Sequence, residues 1–94
     1  LVLDTGTLDG SISGEIVAKT VDSLWEILEK KPERLAMPNF PEGTSFSLTE
    51  KYHITSEDVV KKVSNMLNKE LSTKNLIKKE HPHDIPGDWF TGPF

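Results

Sequence analysis

Three glycines, Gly6, Gly10 and Gly14, lie between an apolar run and a helical pattern. In that position a phosphate can sit on the free amides of a helix N-terminus. Their even spacing fits neither the dinucleotide fingerprint nor the P-loop, and no Gly-Lys-Ser/Thr triplet accompanies them. They read instead as turn glycines and points of close helix–sheet packing. His81, His83, Asp84 and Asp88 carry metal-ligand atoms, but they stand in a proline-rich stretch that offers no rigid support for ligands, so they read as surface groups. Nucleophilic catalysis finds no footing. There is no cysteine and no G-x-S-x-G motif, and Ser11 and Ser13 have no histidine near them in sequence. Asp4 and Glu15 could form an acid–base pair across the glycine-rich turn. The better fit is that Asp4 ends a strand through loop hydrogen bonds while Glu15 faces a domain or subunit interface. His53, following Tyr52 in a connector, reads as a packed or exposed histidine rather than a base.

Composition narrows the partners. The chain has 94 residues, enough for one domain at most, and a net charge of −4. The basic pairs Lys30-Lys31, Lys61-Lys62 and Lys78-Lys79 are far apart and have acidic neighbours, which argues against a nucleic-acid surface. No apolar stretch approaches the ~20 residues of a membrane span, and no signal peptide is visible. The lack of cysteine excludes disulfides and thiolate metal sites and fits a cytoplasmic location. The chain opens on Leu1, already inside a strand pattern, and reads as a piece that needs neighbouring structure to be stable.

Several elements must position these residues. Leu1-Val2-Leu3 reads as a short buried strand turning at Asp4-Thr5-Gly6. Ser13 is the expected N-cap of a helix with Glu15 in its first turn. Val17, Val21, Leu24 and Leu28, widened by Ile16 and Ile27, form its apolar face, with Trp25 at the edge. Lys30-Lys31 suits its C-terminal end, and Pro32 forbids continuation. Arg34–Met37 is a candidate second strand, residues 38–45 a loop, and residues 46–52 mostly irregular. Thr55 with Asp58 resembles a capping box opening a helix faced by Val59, Val60, Val63, Met66 and Leu67. Residues 1–69 form one unit and 70–94 an irregular tail, whose Trp89, Phe90 and Phe94 are expected to pack on this domain or a partner.

In order, the pieces are an Asp-x-Gly strand end at Asp4 and Gly6, Ser-Gly-Glu-Ile at 13–16, and Arg-Leu-Ala-x-Pro-Asn-x-Pro at 34–41. Thr44-Ser45, Leu48-Thr49-x-x-Tyr52 and Ser-Glu-Asp-Val-Val at 56–60 follow. This series resembles the last half of the C-terminal, transketolase-like domain of the β subunits of thiamine-diphosphate-dependent 2-oxo acid dehydrogenases. The resemblance covers residues 1 to about 68. Asn39 stands where the family commonly has Asp, Asp9 where it has a second Gly, and the chain runs further than the family's usual end. The resemblance implies an α/β fold, part of a three-layer α/β/α sandwich around a mostly parallel sheet. It implies an enzyme of two α and two β subunits that decarboxylates a 2-oxo acid on thiamine diphosphate and Mg, then passes the acyl group to a lipoyl domain. In that family the cofactor is held by the preceding β-subunit domain and by the α subunit. This segment would therefore carry no catalytic, cofactor or metal residue. It would assemble with the α subunit and the second β subunit, and dock the lipoyl acyltransferase core through acidic residues, with Glu29 and Glu33 as positional equivalents. Glu15, Trp25, Trp89, Phe90 and Phe94 complete the interface candidates. Two alternatives are the end of a transketolase-type ketol transferase and an adaptor that grips a partner with its aromatic tail.

Overall fold

Alternation sets the first element. In β1, Val2–Thr7, the residues Val2, Asp4 and Gly6 are half-buried, whereas Leu3, Thr5 and Thr7 are exposed. The computed structural model describes residues 1–76 and 88–93. It holds a small α/β fold with a two-stranded parallel sheet and three α-helices. β1 is longer than the sequence suggests and carries through Asp4-Thr5-Gly6, because β2, Arg34–Met37, lies alongside it in parallel. Val2 pairs with Arg34, Leu3 with Leu35 and Thr7 with Met37, so β1 carries two more residues than β2 between the last two pairs. Within that bulge the Gly6 amide donates to the Asp4 carboxylate.

Between the strands runs α1, Ile12–Leu24. Parallel strands need such a crossover. Ser11, not Ser13, is its N-cap residue, and its end also differs from the sequence expectation. The helix tightens at Trp25–Ile27 into a 3₁₀ turn, and Leu28 is already extended. Helix ends commonly close this way, and Pro32 bars the route onward. Lys30-Lys31 therefore lies beyond the helix rather than on its last turn. A four-residue helix, α2 at Phe46–Thr49, occupies a stretch expected to be irregular. Such a short element has no apolar period to reveal it.

α3, Ser56–Leu67, is capped at both ends. The Thr55 hydroxyl accepts from the Asp58 amide at 3.2 Å, and Asp58 Oδ2 accepts from the Thr55 amide at 2.9 Å. The expected capping box is present. Asn68 ends the helix with φ 52°, a left-handed conformation that asparagine tolerates. Its amide donates to Asn65 O and the Lys69 amide to Ser64 O, closing a Schellman motif. Replacing Thr55 with Ala leaves the amide of Asp58 without its acceptor. The expected loss is about 1 kcal/mol of helix stability, read as faster amide exchange in the first turn of α3.

Among the described residues no apolar side chain is fully buried; the only buried ones are Ser13 and Thr49. Val17, Val21 and Leu28 are half-covered, while Ile16, Leu24 and Ile27 of the same helical face stand exposed. Phe40, Phe46, Leu48 and Leu67 are exposed as well. No helix among the described residues is long and apolar enough to cross a membrane.

Candidate functional site

Two structures meet at the C-terminal ends of the strands: a cap network under α1, and a groove beside it. Asp4 organises the first. Its Oδ1 accepts from the Gly6 amide at 2.8 Å and its Oδ2 from the Ser13 amide at 3.0 Å. The Ser13 amide belongs to the first turn of α1, which explains why a side chain nine residues upstream can do the work of a local cap. Ser11 and Ser13 share a hydrogen bond between their hydroxyls at 2.7 Å. The Gly6 amide foremost, then the Ser11 hydroxyl and the Ser13 amide and hydroxyl, hold the Asp4 carboxyl at about 2, against a smaller opposing effect of desolvation. A carboxyl so acidic stays ionised near neutral pH, so it has no proton to give as a general acid and is a weak base. It also fills, with its own charge, the position at the helix terminus where a phosphate would sit.

The glycines here are sites of close approach. A Cβ on Gly6 would lie 2.9 Å from the Ser11 Cβ. One on Gly14 would lie 3.3 Å from Arg34 Nη1, which crosses it to donate to the Leu8 carbonyl at 2.6 Å. Gly10 has φ +77°, open to glycine at little cost. Asp4 and Glu15 do not act as a pair: Asp4 caps α1, whereas Glu15 is exposed and meets Lys19 at 3.5 Å.

The groove lies beside this network. It has a volume of about 460 Å3 and is lined by Thr7, Asp9, Asn39, Phe40, Pro41 and Tyr52. The Asp9 amide donates to Asn39 Oδ1 at 2.8 Å, tying the loop after β1 to the loop after β2. The Thr7 hydroxyl donates to the Asp9 carbonyl at 2.8 Å. Phe40 and Tyr52 meet edge to face, their centroids 5.6 Å apart, and Tyr52 meets His53 in the same way at 5.4 Å. His53 Nε2 lies 2.7 Å from Glu42 Oε1, so His53 is packed and paired rather than free to act as a base. Asp9, Asn39, Phe40 and Tyr52 do not stand out as a set in the sequence. The available signal was positional: Asp9 and Asn39 each follow the end of a parallel strand, where open α/β sheets place ligands.

The interface candidates are dispersed. Trp25 is 70% exposed and Ile27 73%, over a hollow of about 290 Å3 formed by residues 22–27. Glu29 is exposed nearby. Glu33 is largely covered and engaged within the chain, 2.7 Å from Lys62 of α3 and 3.7 Å from Lys31. Its pKa lies below the ordinary glutamate value, chiefly through Lys62. Trp89 is 80% exposed and stacks edge to face with Phe90 at 6.0 Å. Phe94, His81, His83 and Asp84 lie outside the described residues. Among the described residues no cluster of histidine and carboxylate groups could hold a metal. No protein-family model, curated protein or solved structure matches the chain.

Proposed function

We propose that the chain is an assembly and docking segment of a thiamine-diphosphate-dependent 2-oxo acid dehydrogenase β subunit, acting in oxidative decarboxylation and acyl transfer only as part of the larger enzyme. One observation carries the reading: fifteen large apolar residues are exposed while none is fully buried among the described residues. Exposed apolar area on this scale marks contact with other chains or with the rest of a domain. The parallel β–α–β unit and the capped α3 are consistent with half of a three-layer transketolase-like domain, whose remaining strands would cover Leu1 and Leu3. Trp25, Glu29 and Trp89 are the surfaces offered outward, while Glu33 serves internally through Lys62.

Under this reading the cofactor is held elsewhere in the enzyme, and Asp4 fills with its own charge the α1 terminus where a diphosphate would otherwise sit. Calorimetric titration of the chain with thiamine diphosphate and Mg2+ is expected to give no binding heat. Tight, saturable binding by this chain alone would sink the proposal.

A further inference from the structure

We propose that the groove at the ends of β1 and β2 receives a cationic side chain, arginine or lysine, presented by a partner polypeptide. The site differs from the acidic positions Glu29 and Glu33, and the inference does not depend on the dehydrogenase reading. Charge points to the occupant. The Asp9 carboxylate forms no ion pair among the described residues, and the Arg34 guanidinium is engaged with the Leu8 carbonyl. The neighbouring carboxylate, Glu42, is already paired with His53. Among the described residues Asp9 is therefore an unpaired carboxylate at the rim of a hollow walled by Phe40, Pro41 and Tyr52, which repels anionic ligands and attracts cations.

The rest of the groove suits the shape of such a side chain. The Phe40 ring is more than half exposed, and its edge-to-face contact with Tyr52 fixes both rings beside Asp9 in the same hollow. A cation over an aromatic face gains attraction from the ring quadrupole. Pro41 and the rings offer apolar wall to the methylene stem, while the charged head stays at the rim. Asn39 is oriented by the Asp9 amide, so the two loops that frame the site are fixed relative to one another before any ligand arrives.

Chemical-shift titration of the full chain with N-acetyl-arginine methylamide tests this directly. Saturable shifts are expected at the Asp9 amide, the Asn39 side-chain amide and the Tyr52 ring, with a dissociation constant on the order of millimolar for one side chain. The neutral citrulline analogue is expected to leave those signals in place. Asp9→Asn should weaken binding about tenfold, whereas Glu26→Gln in the separate hollow of residues 22–27 should not change it. Equal response to citrulline, no response in the groove, or shifts centred on Trp25 and Glu29 would each overturn the assignment.

Discussion

Heated alone, the chain is expected to lose its ellipticity gradually and to give no single calorimetric peak. A self-contained domain of this length absorbs roughly 65 kcal/mol at its midpoint, because its buried surface opens all at once. Here the elements share little interior: α1 lies on β1 and β2, while α3 is joined to the residue before β2 by the Lys62–Glu33 ion pair. The caps are correspondingly local: Thr55, Asp58 and Asn68 close α3, while Asp4 of β1 holds the first turn of α1. Locally stabilised elements melt one by one. Differential scanning calorimetry with circular dichroism at two wavelengths decides the matter. Coincident, sharp transitions with the full enthalpy would show an independent fold and remove the main support for an assembly role.

Gly6→Val separates α1 from the strand. The new Cβ would meet the Ser11 Cβ at 2.9 Å, an atom fixed to the backbone, and Asp4 Oδ1 at 3.2 Å. Relieving the first clash moves the residue before α1, and relieving the second moves the carboxylate that holds the Gly6 and Ser13 amides. Overpacking of this kind costs about 1–3 kcal/mol, a large share of what a unit without a buried apolar centre has available. Loss of exchange protection at the Ser13 amide is the expected signature, with α3 unaffected. If Ser13 keeps its protection in the variant, the contact between Gly6 and Ser11 is not what seats the helix.

Elements specified by neighbours in sequence were legible. The Thr55–Asp58 box and the second strand at Arg34–Met37 depend on residues within a few positions, and both stand where the pattern places them. The start of α1 was misplaced by two residues because its cap acceptor, Asp4, comes from another element. Its end was misplaced because the apolar spacing of Leu24, Ile27 and Leu28 persists through a turn that is no longer α-helical. The groove was hidden for a related reason. Asp9 and Asn39 are thirty positions apart and become neighbours only once the two strands lie parallel in one register. The exposed apolar residues are a different case: amphipathic spacing announces a face to be covered, and it does not say by which molecule.

Among the described residues the sheet has two strands, which leaves each with an outer margin of amides and carbonyls. β1 carries the exposed Leu3, with Leu1 just before it, and has no lysine or proline to discourage a newcomer. Such margins are templates for unintended strand addition. Handling the chain in concentrated solution is therefore expected to invite precipitation, and light scattering against concentration would follow it.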